Sequence, residues 1–132
     1  MKYPIVIKGL PLSIANNKKK KWIMSLNGLL KMHHMTRDRL KKKFYRLVYP
    51  KIKNMPVIDR RVVIFYYITF PSKHGRDIDN YGFAFIKFFN DALQVYGKIA
   101  NDDFNYIKST VPVFLKCEKG KALVDVYIWE DI

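Results

Sequence analysis

The feature that most constrains the fold is the run from Arg60 to Phe70, which is almost entirely β-branched or aromatic. It reads Arg-Arg-Val-Val-Ile-Phe-Tyr-Tyr-Ile-Thr-Phe and shows almost no alternation of apolar and polar residues. Such a run is typical of a strand that is buried on both faces, at the centre of a sheet. The segment from Pro71 to Gly75 breaks it. We therefore predict a sheet with this strand in its middle.

Before this strand, the pattern predicts one strand, one irregular segment and one helix. The strand covers residues 3–8, and the polar irregular segment covers residues 13–21. Residues 22–35 are ambiguous, with Asn27-Gly28 as a possible hairpin turn within them. The helix has Thr36 as its N-cap, carries one apolar stripe and ends near Pro50.

Beyond the central strand, residues 80–96 predict a core helix, for which Gly97 is a suitable C-terminal cap. Residues 105–117 and 121–129 predict two strands that are joined by the turn 118–120 as an antiparallel hairpin. The order β, α, β, α, β, β predicts an α+β fold with a mixed β-sheet flanked by helices, closing with that hairpin. We expect a single domain over residues 1–132.

The composition favours a folded domain that binds a polyanion. The chain has 132 residues, with 25 Lys and Arg against 11 Asp and Glu, and a net charge of +14. Nine Tyr, nine Phe and two Trp argue for a packed core rather than a disordered basic tail. The charge favours a nucleic acid as partner, although ribosomal proteins and proteins that bind anionic membranes share it.

Three features favour a cytoplasmic protein without a membrane partner. No apolar run approaches the ~18 residues that span a bilayer. Pro4 and Lys8 interrupt the N-terminal segment too early for the core of a signal peptide. Cys117 is the single cysteine, so it cannot form an internal disulfide and fits a reducing compartment.

There is also no P-loop and no dinucleotide-binding glycine motif, so we expect no nucleotide cofactor.

The acidic residues are concentrated in one part of this basic chain. Five of the eleven fall within 27 residues: Asp77, Asp79, Asp91, Asp102 and Asp103. Asp77 and Asp79 are two positions apart, so in an extended segment both carboxylates point to one side, where a cation can bridge them. The chain could return at Asp102 and Asp103 with a third ligand. Such a cluster would hold Mg²⁺, or Mn²⁺ as a substitute, for cleavage of a phosphodiester.

Each of these acids also has an ordinary structural explanation. An Asp-x-Asp pair is common, the pair Asp102-Asp103 fits turn chemistry, and Asp79 or Asn80 fits a helix N-cap. What distinguishes this chain is the ordered set: an arginine, two acids, an asparagine, a helix, and then an acidic pair before an apolar strand.

The pattern Arg-Asp-x-Asp-Asn at 76–80, followed by a helix with Lys87 and Asp91-Ala92-Leu93 and then by Asp102-Asp103, resembles the RusA family of Holliday junction resolvases. Members of that family are small, basic, dimeric, Mg²⁺-dependent endonucleases of bacteria and their phages and prophages. The likeness extends along most of the chain, from the opening strand with Gly9-Leu10-Pro11 to the terminal hairpin. Only residues 76–103 are specific to the family.

The resemblance implies roles for individual acids. Asp77, Asp79 and Asp103 match the three acids that bind metal in the family. Asp102 is the alternative third ligand, because one shift in a short loop would exchange the pair. Asn80 matches the asparagine that follows the second acid.

Lys87 matches the family's catalytic lysine, since its separation from Asp91-Ala92-Leu93 is kept. The interval from Asp79 is eight residues instead of the family's four, and a strict count would place the lysine at Phe83. Four extra residues add about one helical turn, ~6 Å of rise. They are absorbed if the helix starts later, around Gly82. Otherwise they displace Lys87, which would then be a charged residue that snorkels from an apolar helix.

Basic and polar residues near the motif and in the N-terminal loop are candidates for contact with DNA phosphates. They are Arg76, Asn80, Lys73, Lys18, Lys19, Lys20 and Lys21. The helix after Thr36 has a basic face as well, which either contacts DNA or is simply solvated. An apolar surface for a homodimer would come from Phe83, Phe85, Phe88 and Phe89, unless these residues belong to the core.

The function that we predict is a metal-dependent, structure-specific endodeoxyribonuclease. It would resolve Holliday junctions and other branched DNA by symmetric nicking as a homodimer, in the cytoplasm of a bacterium or of a phage's host. Two alternatives remain: a non-catalytic basic module that binds branched DNA, and an RNA-binding protein.

Overall fold

The computed structural model describes residues 3–17, 20–76 and 80–132, apart from the side chains of residues 16, 17, 20 and 21. The elements are β1 (Ile5–Pro11), β2 (Ser13–Asn17), β3 (Lys20–Ile23), α1 (Leu26–Lys31), α2 (His34–Ile52), β4 (Val62–Thr69), α3 (Phe83–Val95), β5 (Ile107–Phe114) and β6 (Leu123–Glu130). They form a mixed four-stranded sheet, an antiparallel β2–β3 hairpin and three helices. The predicted α+β fold is confirmed.

β4 lies inside the four-stranded sheet, whose order is β1-β6-β4-β5, as its composition predicts. Its two faces differ: Val62, Ile64, Tyr66 and Ile68 are buried, and the residues between them are only partly buried. The prediction of a strand buried on both faces is therefore wrong. The described helices pack against one side of the sheet, so the other side of β4 keeps contact with solvent.

The predicted hairpin between the last two strands is wrong as well. β5 pairs with β4 in parallel, and β6 pairs with β4 on its other edge in the antiparallel sense. The connection between them passes over the end of β4, where Glu118 N–H donates to the carbonyl oxygen of Phe70 (3.1 Å) and Leu115 N–H to that of Ile68 (2.9 Å). A short turn cannot be told from a short crossover by sequence, because both use the same residues.

The N-terminal part of the chain contains more regular structure than predicted. The segment predicted as irregular forms β2 and β3, which pair from Ser13 opposite Ile23 onward. Asn27-Gly28 does not form a hairpin turn but lies in α1, which Ser25 caps by accepting from Gly28 N–H (3.1 Å). α2 begins at His34, before Thr36, and continues two residues beyond Pro50.

α3 begins at Phe83 rather than Asn80, because Gly82 adopts a φ of +100° as its N-cap. This conformation strongly favours glycine. The predicted cap at the other end is confirmed, since Gly97 has a φ of +69° and its N–H binds the carbonyl oxygen of Gln94 (3.1 Å).

Aromatic side chains join the two long helices to the sheet. Phe44 of α2 contacts Phe85 (5.5 Å between ring centres) and Phe88 (5.7 Å) of α3. Tyr66 of β4 contacts Phe85 (6.0 Å) and Phe89 (6.3 Å) edge-on. Phe85, Phe88 and Phe89 are therefore core residues and not a surface for a homodimer.

Among the helices described, none combines the length and the apolar character that are needed to cross a bilayer.

A buried hydrogen bond ties β4 to α3. The Tyr66 hydroxyl donates to Asn90 Oδ1 at 2.5 Å, and both side chains are buried. Burial raises the pKa of Tyr66, and the hydrogen bond to Asn90 lowers it by less. The hydroxyl therefore stays protonated and remains a donor.

Replacing Tyr66 with Phe should lower the free energy of unfolding by about 1–3 kcal/mol, because Asn90 Oδ1 would stay buried without its donor. Urea denaturation measures the change. Tyr67→Phe is the matched control, since Tyr67 is only partly buried on the other face, and its effect should stay within about 0.5 kcal/mol. Equal effects of the two substitutions would contradict the prediction.

Candidate functional site

The residues on either side of 77–79 lie at the carboxyl end of β4. Arg76 contacts Phe70, which directly follows the strand. Gly82 is close to the end of β4 as well, because a Cβ atom added to it would lie 3.2 Å from Cδ1 of Ile68, the penultimate residue of the strand. Four predicted site residues lie outside the described residues: Asp77, Asp79, Lys18 and Lys19. Lys20 and Lys21 belong to β3, but their side chains are likewise outside the description.

The guanidinium group of Arg76 is held by its own loop. Its Nη1 donates to the carbonyl oxygens of His74 (3.0 Å) and Ser72 (3.4 Å), and its Nη2 donates to Ser72 Oγ (3.3 Å). Its central carbon lies 4.8 Å from the ring centre of Phe70 and 5.8 Å from that of Tyr81. These contacts fix the loop that leads into residues 77–79. A contact with DNA stays a prediction, and it would have to use the remaining N–H groups.

Asn80 fixes the other side of the same segment. Its Oδ1 accepts from the N–H of Asn27 (2.9 Å), and its carbonyl oxygen accepts from the N–H of Leu26 (3.0 Å). Ser25 and Tyr81 add an isolated β-bridge. The start of α1 is therefore held by Asn80, whose side-chain oxygen is used in a hydrogen bond within the protein.

The acidic pair lies at the opposite end of β4. Asp102 and Asp103 precede β5, and the first residue of β4, Val62, donates its N–H to the carbonyl oxygen of Tyr106 (2.9 Å). An eight-residue strand separates its two ends by about 23 Å at ~3.3 Å per residue. Within one chain, Asp103 thus lies at the end of the sheet opposite to Arg76 and Asn80.

Asp103 takes part in a turn. Its Oδ1 accepts from Asn105 N–H (2.9 Å), and its Oδ2 accepts from Asn101 Nδ2 (2.8 Å). Asp102 is exposed, and its N–H binds Asn101 Oδ1 (2.8 Å). A carboxylate has about four lone pairs, so Asp103 retains acceptor capacity for a cation after these two bonds.

One carboxylate on the helical side joins two lysines. Asp91 Oδ2 lies 2.7 Å from Lys41 Nζ and 3.7 Å from Lys87 Nζ, and the side chain of Asp91 is only 16% exposed. Burial, the largest single effect, lowers the pKa of Lys41. The hydrogen bond and charge of Asp91, together with Tyr45, raise this pKa by more in total, so the net shift is upward. Sequence reasoning did not assign this role to Asp91. Its spacing of four residues from Lys87 was a signal for an ion pair.

Lys87 also lines a groove between α1, α2 and α3. The groove has a volume of about 480 Å³ and an apolar floor that includes Leu26, Leu29 and Phe88. It adjoins Asn80 through Leu26, whose N–H donates to the carbonyl oxygen of Asn80 (3.0 Å). The structure therefore brings Lys87 to the same end of the molecule as Asn80, and not to that of Asp103.

The cations of α2 form a positive surface on the helical side. Arg39, Lys42, Arg46 and Lys51 are exposed there. Lys43 has a structural partner instead, because its Nζ donates to the carbonyl oxygen of Ala15 (2.8 Å). Lys73 is exposed in the loop after β4.

In the part of the chain that the structure describes, no three His, Cys, Asp or Glu side chains come together in a way that could hold a metal ion. Asp77 and Asp79 are outside that part. The described residues of one protomer thus supply Asp103 as an isolated ligand and do not by themselves fit a complete Mg²⁺ site.

No family model matches the chain, and the search of curated proteins gives no match. The likeness to the RusA family consequently rests on the residues quoted above and stays a hypothesis.

Replacing Arg76 with Lys should loosen the loop after β4, although the positive charge is kept. Lysine offers neither the planar group that packs on Phe70 nor the fork that binds Ser72 and His74. The lost contacts correspond to about 1–1.5 kcal/mol, so amide hydrogen exchange of residues 72–76 and 80–82 should accelerate roughly tenfold. Lys73→Ala is the control and should leave these rates unchanged. Unchanged exchange in Arg76→Lys would show that the guanidinium does not hold the loop.

Proposed function

We propose that this protein is a metal-dependent endodeoxyribonuclease that nicks branched DNA, such as a four-way junction, as a homodimer. The observation that carries the proposal is the acid-rich segment 77–79, between two residues, Arg76 and Asn80, that hydrogen bonds fix from both sides. A net charge of +14 supports binding of a polyanion around it. The expected setting is the cytoplasm of a bacterium or of a phage's host.

The metal ligands in this proposal are Asp77, Asp79 and Asp103, with Asp102 as the alternative third ligand. Mg²⁺ or Mn²⁺, when bound, would activate water and offset charge on the phosphate. The residues of the chain would position the DNA: the positive surface of α2 attracts the phosphates, and hydrogen bonds hold Arg76 and Asn80 on either side of the acidic residues in the sequence.

The separation of Asp103 from Arg76 supports the dimer. Because the length of β4, about 23 Å, lies between the two ends of the sheet, a site that combines Asp103 with groups beside Arg76 and Asn80 would draw them from two copies of the chain. A two-fold dimer in which the amino end of one β4 meets the carboxyl end of the other supplies this set twice. Two equivalent sites suit a substrate with near two-fold symmetry.

Lys87 would stabilise the negative charge that develops on the phosphate. Its side chain is 64% exposed, and its ammonium lies 3.7 Å from Asp91, which has a closer partner in Lys41 at 2.7 Å. Lys87 is thus the less firmly held of the two lysines. It borders the groove that adjoins Asn80.

A second candidate is a non-catalytic module that binds branched DNA. It is favoured by the local hydrogen bonds of Asp103, whose two oxygens both serve the 101–105 turn. The RNA-binding alternative has no such observation in its favour, and it predicts no preference for a four-way junction over single strands.

Nicking of a labelled four-way junction tests the proposal. The wild type should introduce paired nicks with Mg²⁺ and none with EDTA. Asp79→Asn should lose at least about 100-fold in rate, as expected for removal of a group that stabilises the transition state. Asp59→Asn, at an exposed acid elsewhere, should cut like the wild type.

Junction binding without cleavage, in Mn²⁺ as well as Mg²⁺, would reject the enzyme and favour the binding module. Equal binding of single-stranded RNA and the junction would favour the RNA-binding alternative.

Mixing two inactive variants tests the shared ligand set. Asp79→Asn and Asp103→Asn should each be inactive alone, whereas co-expressed subunits should recover single nicks. Statistical mixing makes half of the dimers mixed, each with one complete site, so the recovered activity should be about a quarter of the wild-type level. No recovery, with mixed dimers demonstrated by differently tagged subunits, would show that each site is built within one protomer or does not use Asp103.

A further inference from the structure

We propose that the groove between α1, α2 and α3 is a docking site for an acidic amphipathic helix of a partner protein. Leu30 and Met35 are its open apolar side chains, and Arg37, Lys41 and Lys87 supply positive charge along it. This inference goes beyond the proposed function and does not depend on it.

Contacts of α1 hold the groove in shape. At the start of this helix, Asn80 accepts hydrogen bonds from the N–H groups of Leu26 (3.0 Å) and Asn27 (2.9 Å). Further along, Gly28 lies so close to Trp22 that an added Cβ atom would be 2.9 Å from the indole Nε1. Because the groove exists before a ligand arrives, less free energy is lost in ordering it on binding.

The apolar side chains of the groove are open to solvent in the single chain. Leu30 is 76% exposed and Met35 is 68% exposed. Both line a volume of about 480 Å³, whose floor includes the buried Leu29 and Phe88. Exposed apolar surface around a concave site marks a place of interaction. Methionine in particular adapts its unbranched side chain to different apolar partners.

The length of the groove suits a short helix. The groove follows α2 from His34 to Lys41, which is roughly 10 Å or two helical turns. A helix that binds in such a groove inserts apolar residues at positions i, i+3 or i+4, and i+7, and these anchors also span about two turns. The partner's helix should therefore carry one apolar face of this length.

The charged residues of the groove favour an acidic partner. Among the residues that line it, one is an acid, Asp38, and three are cations, Arg37, Lys41 and Lys87. Lys87 is 64% exposed and lies 3.7 Å from Asp91, whose closer partner is Lys41 at 2.7 Å. The ammonium group of Lys87 can therefore bind a carboxylate of the ligand. The net charge of +14 attracts an acidic partner over a longer range.

The same lining favours a protein over a nucleic acid. Unpaired bases bind to proteins mainly by stacking on open aromatic rings. Among the described residues that line the groove, Phe88 is 2% exposed, and the one ring open to solvent is that of His34. His33 lies against this ring, with 4.3 Å between the ring centres. The aliphatic side chains of Leu30 and Met35 suit the apolar anchors of a helix instead.

Fluorescence anisotropy of a labelled peptide tests this inference. The probe is a helical peptide of about 14 residues, in which leucines at positions i, i+4 and i+7 form one face and glutamates form the other. The full-length wild type should bind it with a dissociation constant between about 1 and 100 µM. Peptides with lysine in place of glutamate, or with alanine in place of leucine, should bind at least about tenfold more weakly.

Substitutions locate the bound probe. Leu30→Glu and Met35→Glu should raise the dissociation constant at least about tenfold, because each places a charge in the apolar groove. Lys87→Gln should raise it about three- to tenfold, because an ion pair with the probe is lost. The matched controls are Val95→Glu, at a valine 61% exposed on α3, and Lys53→Gln, at an exposed lysine beyond the other end of α2. Both controls should bind like the wild type, and circular dichroism confirms that all variants are folded.

No binding of the acidic probe at about 300 µM protein would overturn the inference. So would binding that Leu30→Glu, Met35→Glu and Lys87→Gln all leave unchanged. Two further results would overturn it in favour of another occupant. Binding of a single-stranded oligonucleotide that displaces the probe and is lost in Leu30→Glu and Met35→Glu would assign the groove to nucleic acid. Self-association that Met35→Glu abolishes would assign it to a second copy of the chain.

Discussion

The pairing of β4 with two strands of opposite direction organises this protein. β5 joins one edge of β4 in parallel after the crossover through α3, and β6 joins the other edge in the antiparallel sense. A parallel neighbour starts at the same end of the sheet as β4 itself. The segment after β4 and the segment before β5 are therefore held at opposite ends of one strand, which places Asp102 and Asp103 at the end away from Arg76 and Asn80.

The same strand divides the molecule into two sides with different chemistry. Its inner residues pack against α3, where Tyr66 and Asn90 place one hydrogen bond inside an otherwise apolar layer. Its outer residues are aromatic but only partly covered. Since the exposed cations of α2 lie on the helical side, the positive charge and the open apolar surface are separated by the thickness of the sheet.

The contacts around the candidate site change the roles of two residues. Arg76 and Asn80 were candidates for contact with DNA, yet the hydrogen bonds of both go largely to the framework: Arg76 to Ser72 and His74, and Asn80 to the start of α1. These hydrogen bonds reduce the conformational freedom of Arg76 and Asn80 themselves. Lys87 and Asp91 differ from these two residues, because their spacing of four on α3 brings them together as an ion pair. Lys41 of α2 binds the same carboxylate from a second helix.

The sequence alone determined the class of fold, the interior position of β4, the cap at Gly97 and the contrast between a basic chain and its clustered acids. These features depend on local rules: β-branched runs favour strands, and glycine accommodates a positive φ. It could not determine that β4 separates β5 from β6, that β2 and β3 pair, or that Asp103 and Arg76 lie beyond opposite ends of β4. Strand order, and with it the distance between loops, depends on which strands pair. For strands that are far apart in sequence, the packing of the whole core decides the pairing.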